Sequence, residues 1–589
     1  MGLTKVEIFF IIFSVISLLL INFPAYSQFD VNKATDEITP LKPKEKIENE
    51  LKQIPQKPIE IRPQNEGIVA SKEEKVFFVK NITLTGCESF SPKEFSYIVE
   101  KYTNKELSLH DLENLSKEIE KEYFKKGIIA AVFLYPQEIK DENVTLHVIE
   151  ARMGKLEIQE HKYFNKNRIN YYWKIPQGDI LRYDKIYESL WMINRNPDRE
   201  VKTTLHKGEK LGIVDISLDA QTNFPIHLLS TFDREGYPIT GKSRIGYGIR
   251  HNNFLCLDDV LISGYNLGKD FTISYVYHNI PINPYGTFLF YGYSQNKSTP
   301  KKEYTEYGIK ALGKNTSISL KQDLFKNNQY LGELSLGLDA NDKTIWTNTG
   351  TYSRERLRIF NLGGDFVSYG YNNVTYISNE LSQGVDSFGA SIKNNSSREE
   401  DIKPTFTKFN FGIQYRKFLP LSLQANLKFK IQLSSHRLPS SERFSLGGIN
   451  SVRGYPSDDY KADNASQETI ELLIPAFFIP SNIRLPYSES SLKNQTKTVI
   501  FIDHGWGKKR NPLINDKQSN NLLSMGVGLR FNLFNQFRLR LEWGFPFASN
   551  KTLTEEGYSR FHFSVDFQDK FTQEIKRIKQ LRENKKHIK

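Results

Sequence analysis

From Ile226 onward the chain alternates apolar and polar residues in stretches of about ten to fourteen positions, and that period constrains its fold more than any other feature. In residues 421–434 the set Leu421, Leu423, Ala425, Leu427, Phe429, Ile431 and Leu433 points one way. Ser422, Gln424, Asn426, Lys428, Lys430, Gln432 and Ser434 point the other. Phe409, Phe411, Ile413 and Tyr415 alternate likewise with Lys408, Asn410, Gly412, Gln414 and Arg416. So do Leu523, Met525, Val527, Leu529, Phe531 and Leu533 with Ser524, Gly526, Gly528, Arg530 and Asn532. A soluble β-sandwich would turn those lysines and arginines into its core and would use shorter strands. A barrel with lipid outside and water inside accommodates both faces. Residues 226–567 divide into roughly sixteen or seventeen such strands, least clearly between residues 352 and 381. Bacterial barrels have an even strand number, so the expectation is a closed barrel of about sixteen strands around an aqueous lumen.

The N-terminus reads as an export signal over residues 1–27. Lys5 precedes an apolar run over residues 8–23, and Ala25-Tyr26-Ser27 supplies a small-x-small cleavage site before Gln28. The run is shorter than the ~20 residues of a spanning helix, and no later segment approaches one. Residues 28–75 are rich in Pro, Lys, Glu and Gln and read as a linker, with a short helix possible over residues 45–54 before Pro55.

Residues 76–153 read as a compact α/β unit. A strand over residues 76–84 ends at Gly86. Ser91-Pro92-Lys93-Glu94 starts a helix with Ser as N-cap, Pro in the first turn and Glu three residues on. A second helix from Ser108 places Leu112, Leu115, Ile119 and Tyr123 on one face and stops at Gly127. Strands over residues 129–135 and 144–150 complete the order β-α-α-β-β. Residues 154–222 repeat that order, with strand 156–159, helices 166–173 and 183–193, and a hairpin of 201–205 with 213–218 across Lys207-Gly208. Two tandem units of one order are an internal repeat.

Within the barrel region, Ser451-Val452-Arg453-Gly454-Tyr455 reads as a loop tip, and Phe501-Ile502-Asp503-His504-Gly505 lies on an alternating strand. An arginine whose turn is permitted by Gly454 can reach an aspartate on the wall and make two parallel bonds to its carboxylate. The candidate site is therefore a loop lock: Val452, Arg453, Gly454 and Tyr455 on the loop, and Phe501, Asp503 and Gly505 on the wall.

Enzyme classes find no support. No Gly-x-Ser-x-Gly elbow, His-Glu-x-x-His pair or phosphate-cradling loop appears, and the 11 histidines are scattered. No catalytic, cofactor or metal residues are assigned. The net charge of +12 is spread among 68 acids without a dense basic-aromatic patch, so nucleic acid is not an expected partner. Cys87 and Cys256 are too few for a disulfide framework and fall in different segments.

The chain resembles the outer-membrane transporters of two-partner secretion, the hemolysin secretion/activation proteins, over nearly all its length after residue 27. Glu150-Ala151-Arg152-Met153-Gly154-Lys155-Leu156 looks like the junction between the family's two polypeptide-transport-associated (POTRA) domains. Leu190-Trp191-Met192-Ile193-Asn194-Arg195-Asn196-Pro197, then Gly212-Ile213-Val214-Asp215, is similar to the second of them, marking Asn194, Asn196 and Pro197. Phe232-Asp233-Arg234-Glu235-Gly236 with Thr240-Gly241 resembles the first barrel hairpin. Ser445-Leu446-Gly447-Gly448 with Val452-Arg453-Gly454-Tyr455 resembles the sixth extracellular loop.

The resemblance implies α+β periplasmic POTRA domains followed by an all-β, 16-stranded transmembrane barrel in the bacterial outer membrane. The domains would be residues 76–153 and 154–222, the barrel 223–567, and a basic tail 568–589. The POTRA domains would capture an unfolded exoprotein, encoded nearby, and feed it through the pore. Other implied partners are outer-membrane lipids and the barrel-assembly machinery that inserts the chain. The alternative is an outer-membrane assembly or insertion factor, which shares the loop and wall motifs but usually carries three or more POTRA units. Two departures stand out: the family's N-terminal plug helix has weak signals here, and the last strand is followed by a basic tail, whose charge reads as a solvated, partly disordered periplasmic segment rather than a helix with Ile575, Ile578 and Leu581 on one face.

Overall fold

The computed structural model of the chain describes residues 61–63, 76–137, 142–159, 162–236, 240–300, 305–327, 329–394, 402–485, 488, 490–512, 517–547 and 559–569. The expected export signal, the plug helix and the basic tail beyond residue 569 lie outside them. The chain divides into two compact units. One runs from Ile54 to Phe224 and includes Cys256–Asp258; the other contains Pro225–Leu255 and everything from Asp259 onward.

In the first unit, β1 (Ile61–Pro63) is followed by β2 (Phe77–Val79), β3 (Asn81–Thr85), α1 (Ser96–Val99), β4 (Lys105–Leu107) and α2 (Leu109–Lys125). Next come β5 (Ala130–Phe133) and β6 (Asn143–Glu150). Strands β3, β6 and β5 form one sheet in that order, with β3 parallel to β6, while β2 and β4 pair separately. The α2 face expected from its spacing is buried: Leu112, Leu115, Ile119 and Tyr123 pack with Phe95, Ile98, Leu84, Val144 and Leu146. Ser108 and Asp111 cap the helix reciprocally, Ser108 Oγ accepting from Asp111 N–H at 3.2 Å and Asp111 Oδ2 from Ser108 N–H at 2.9 Å. The buried Glu150 carboxylate accepts from the backbone N–H groups of Glu88 (2.9 Å) and Ser89 (2.8 Å) and from Tyr123 OH (3.2 Å). Burial, with the Cys87 thiol and Glu150 beside it, pushes the Tyr123 hydroxyl well above its ordinary pKa.

The second α/β repeat contains β7 (Arg152–Gln159), α3 (Lys166–Tyr172), α4 (Tyr183–Asn194), β8 (Arg199–Lys207) and β9 (Ile213–Thr222). Its sheet runs β1-β8-β9-β7. One expectation is corrected here. Within the stretch read as linker, Ile61–Pro63 pairs parallel with Thr203, Thr204 and Leu205 and adds an edge strand. Strand pairing is made by main-chain hydrogen bonds, so low apolar content did not prevent it.

The other unit is a closed antiparallel barrel. Its first half is β10 (Ile226–Asp233), β11 (Arg244–His251), β12 (Val260–Gly268), β13 (Phe271–Pro281), β14 (Thr287–Ser298), β15 (Lys310–Lys326), β16 (Tyr330–Thr347) and β17 (Gly350–Tyr369). Then follow β18 (Asn373–Gly384), a short β19 (Ser391–Asn394), β20 (Phe406–Phe418) and β21 (Gln424–Ser434). Inside the next loop are β22 (Phe444–Leu446) and β23 (Tyr460–Ala462). The wall resumes with β24 (Asn464–Pro475), β25 (Thr496–Lys508), β26 (Ser519–Leu533), β27 (Phe537–Pro546) and β28 (Arg560–Gln568). Because β18 pairs directly with β20, and β19 only extends the upper part of β17, the ring has 16 strands.

Alternation is realised as expected. In β25, Ile500, Ile502 and Trp506 are exposed on the outer face, whereas Phe501, Asp503, Gly505 and Gly507 are buried on the inner one. The expected strand over residues 421–434 starts later, at Gln424. Pro420–Ser422 is a tight turn with Leu421 and Ser422 at φ 59° and 58°, so Pro420 ends the period that the apolar residues continue on paper.

Candidate functional site

The site is the segment 435–463 between β21 and β24, together with the wall it touches. A hairpin of β22 with β23 carries the loop, and Leu446, Val452, Tyr455, Tyr460 and Ala462 pack with Ala465 and Leu522 of the wall. Its tip turns at Gly454, whose φ of +99° suits glycine. The tip also lies close against the wall. A Cβ at Gly544 would stand 2.6 Å from the Arg453 carbonyl carbon, and one at Gly505 would stand 2.8 Å from Val452 Cγ2. Glycine at those wall positions leaves the room that the loop fills.

Arg453 is 2% exposed and makes the fork expected of it. Its Nε donates to Asp503 Oδ2 at 2.7 Å and its NH2 to Oδ1 at 2.8 Å; the backbone N–H of Arg453 adds a third bond to Oδ2 at 3.0 Å. The guanidinium lies over the Phe501 ring, 3.5 Å from its centroid. Tyr455 OH donates to the Leu523 carbonyl at 3.2 Å.

The arrangement is larger than one pair. Arg453 NH1 also donates to Glu471 Oε1 (2.8 Å) and Glu542 Oε2 (2.9 Å). Arg530 bridges those two carboxylates, at 2.6 Å to each, and Arg540 binds Glu542 at 3.0 Å. Lys428 stands 4.0 Å from Glu471. Four cations thus surround three carboxylates, with Glu471 on β24, Asp503 on β25, Arg530 on β26, Glu542 and Arg540 on β27, and Lys428 on β21. Sequence reasoning missed Glu471, Glu542, Arg530 and Arg540. One signal for them exists: Arg538, Arg540 and Glu542 alternate with Leu539, Leu541 and Trp543, which places opposite charges in one inward row.

The far end of the loop is held by the other side of the ring. Lys408 Nζ donates to Glu442 Oε2 at 2.7 Å, Asn341 to Glu442 Oε1 at 3.1 Å, and Lys343 to Ser440 Oγ at 2.9 Å. Near the tip, Arg540 NH1 donates to Asn450 Oδ1 at 3.1 Å. Strands β16 and β27 are eight apart in a ring of 16, so the segment spans the lumen from one wall to the opposite wall.

The motif Asn194-Asn196-Pro197 lies in the other unit and builds the turn from α4 to β8. Asn194 exchanges two bonds with the Val201 backbone (2.7 and 3.1 Å), and Asn196 Oδ1 accepts from Asp198 N–H at 3.1 Å. These residues shape the α/β unit and take no part in the loop lock.

Comparison with known proteins finds one family match across the end of the α/β unit and most of the barrel, and a second within the α/β unit. A family model described as haemolysin secretion/activation protein ShlB/FhaC/HecB matches residues 212–531, and one described as POTRA domain, ShlB-type, matches residues 77–151. The heme/hemopexin transporter protein HuxB of Haemophilus influenzae (strain 86-028NP) is 22% identical over 496 residues, covering 78% of this chain and 81% of HuxB. The outer membrane transporter CdiB of Dickeya dadantii (strain 3937) is 21% identical over 398 residues, covering 66% of this chain and 70% of its own. The structure of CdiB from Escherichia coli superposes with a TM-score of 0.70 at 18% identity, covering 93% of this chain and all of that one, and shares the fold.

Proposed function

The chain belongs to the haemolysin secretion/activation protein family, and on that premise we propose that its barrel is an export pore with residues 435–463 as the gate. Proteins of this family are outer-membrane transporters of two-partner secretion: POTRA domains in the periplasm precede a barrel, and an exoprotein crosses the outer membrane. Membership favours that activity over the assembly-factor alternative. The cargo is an unfolded exoprotein encoded nearby, captured by the POTRA domains. An extended chain adds main-chain hydrogen bonds to an open sheet edge without demanding a particular sequence. With no nucleotide in the periplasm, folding of the cargo outside supplies the direction.

The observation that carries the gate is the wall-to-wall course of the loop with Arg453 buried among Asp503, Glu471 and Glu542. A ring of 16 strands leaves an aqueous lumen wide enough to need a barrier. A loop held by charge and hydrogen-bond geometry takes one position rather than a spread of positions. Export therefore requires the loop to move.

A reversible tether tests this. In a chain carrying Cys87→Ser and Cys256→Ser, Val452→Cys and Gly505→Cys place two thiols where loop and wall touch. Export of the partner encoded beside this chain, measured in the culture medium, should stop on oxidation and return on reduction. Undiminished export by the oxidised, fully bridged protein would show that the loop is not the gate.

A further inference from the structure

Above its lipid-facing band, one sector of the outer wall turns basic. The band ends on exposed apolar residues, Ile318 on β15 level with Phe360 on β17, and one row lower Leu320, Leu336 and Leu362. Tyr291 and Tyr293 on β14 mark the same boundary, as aromatic residues do at a membrane interface. Going up β17 from Phe360, the outward row continues with Arg358, Arg356 and Arg354. The ladders bring more cations to those levels. Lys314 on β15, Asp342 on β16 and Arg356 stand in one line across the strands. One level higher are Lys297 on β14, Arg354, and Lys393 on β19, with Lys310 above them.

Asp342 is the one acid in these outward rows among the described residues, and it is taken: Arg358 NH1 donates to its Oδ1 at 2.7 Å. The other six cations, Lys297, Lys310, Lys314, Arg354, Arg356 and Lys393, make no ion pair among the described residues. Arg354 and Lys393 are direct cross-strand partners, and like charges so placed destabilise a sheet unless an anion lies between them. At about 4.8 Å between strands and 6.8 Å between successive outward residues, the six cover an area roughly 19 Å wide and 14 Å high. The cluster is local. At the upper ends of β24, β25 and β26 the outward residues include one lysine, Lys508, and Glu468 there is paired with His504 at 2.6 Å.

We propose that this sector binds a phosphorylated glycolipid of the outer leaflet, with its phosphates on Lys314, Arg354, Arg356 and Lys393 and its acyl chains on the apolar rows below. Two observations choose that occupant. The cations run directly into the lipid-facing band, Arg358 lying two residues from Phe360, so the anion bound there belongs to a membrane molecule rather than to solution. They also lie at the external end of the strands. The periplasmic POTRA domains precede β10, so that strand rises outward; β14, the fifth, runs in the same sense and reaches Lys297 at its upper end. The arginine forks suit phosphate oxygens, and the lysines add charge without fixing one geometry. Width favours a sugar bearing more than one phosphate over a single phospholipid headgroup, and bound phosphates would relieve the repulsion between Arg354 and Lys393.

Native mass spectrometry of the full-length protein, stripped of lipid in detergent and titrated with purified lipid A, tests this. Lipid A with both phosphates should bind more tightly than its monophosphoryl form and more tightly than phosphatidylglycerol. Each basic group near an anionic membrane surface is worth about fivefold in affinity, so Lys314→Gln with Arg356→Gln should weaken binding roughly thirtyfold. Lys314→Arg with Arg356→Lys keeps both charges and should retain most of the binding, while Lys508→Gln should bind as the wild type does. Heat-modifiable mobility checks that each barrel is folded. If the double glutamine variant does not fold, Arg354→Gln and Lys393→Gln, made singly, should each weaken binding by about fivefold. Inorganic phosphate alone should not displace the lipid; displacement would mean a site for free phosphate and overturn the glycolipid. Equal binding by the wild type and the folded glutamine variants, an equal loss in Lys508→Gln, or phosphatidylglycerol binding as tightly as lipid A would each overturn it too.

Discussion

Replacing Arg453 by alanine tests the lock most directly, and the partners that remain set its magnitude. The side chain makes four charge-assisted bonds, two to Asp503 and one each to Glu471 and Glu542. Glu471 keeps Arg530 and accepts from Asn426 Nδ2 at 3.2 Å; Glu542 keeps Arg530 and Arg540. Asp503 alone loses its cation and is left, fully buried, with one backbone N–H. Stranding one charge of a buried pair costs about 3–5 kcal/mol. That shifts the ratio of seated to displaced loop by roughly 10²–10⁴.

The converse change is milder, because Arg453 in Asp503→Ala still has Glu471 and Glu542. We expect about 2–3 kcal/mol for the two charged bonds lost, net of rehydration. It follows that Arg453→Ala with Asp503→Ala should be less severe than Arg453→Ala alone, since the second change removes the stranded carboxylate. Open-state occupancy in planar bilayers is the assay, with the heat-modifiable mobility of the folded barrel as the control for folding. Arg453→Lys should fall between wild type and alanine, because an ammonium cannot reproduce the fork. A double variant at least as open as Arg453→Ala would refute the reasoning, as would a wild-type conductance in Arg453→Ala.

Glu542→Ala should open the channel as strongly as Asp503→Ala, although it lies in neither motif, because Arg453, Arg530 and Arg540 all lose a partner; a silent Glu542→Ala would confine the lock to one pair. Gly544→Val should displace the tip without unfolding β27, since its Cβ would occupy the space of the Arg453–Gly454 peptide; normal conductance in that variant would mean the wall glycine is not needed for the fit. Deleting residues 76–153 should abolish export while the barrel still migrates as a folded species on gels, and undiminished secretion would place cargo capture elsewhere.

The barrel was legible because a lipid-facing strand must show its period at almost every residue. Where strands leave the apolar band the period stays but its content changes. In β17, Leu357 and Ile359 turn inward to pack with Phe406 and Leu438, while Arg354, Arg356 and Arg358 share the outward row with Phe360 and Leu362. That inversion explains why residues 352–381 were the hardest to divide into strands. Arg453 and Asp503 were legible as a pair because glycines and aromatics mark both ends. Glu471, Glu542 and Arg530 were not, since one inward charge looks like any other lumen residue until the register aligns four strands.

The chemistry of the lock also fits a loop that must leave its seat. Two kinds of contact hold it: the apolar set of Leu446, Val452, Tyr455 and Tyr460, and the ionic cluster around Arg453. Each apolar side chain contributes about 1.5–3 kcal/mol that is lost when it is exposed, whichever way the loop moves. The ionic cluster behaves differently. If the whole loop departs, Arg453 and its three carboxylates all regain water, and a buried ion pair is worth little against its own rehydrated groups. If a single partner is missing while the loop stays, the remaining charge is stranded and the cost is large. The cluster therefore selects one seated position sharply while adding little to the barrier against leaving it. An apolar plug of the same area would invert that balance, tolerating many seated positions and resisting departure. A pore that must be closed in one way and still be opened by a polypeptide without nucleotide is better served by the ionic arrangement.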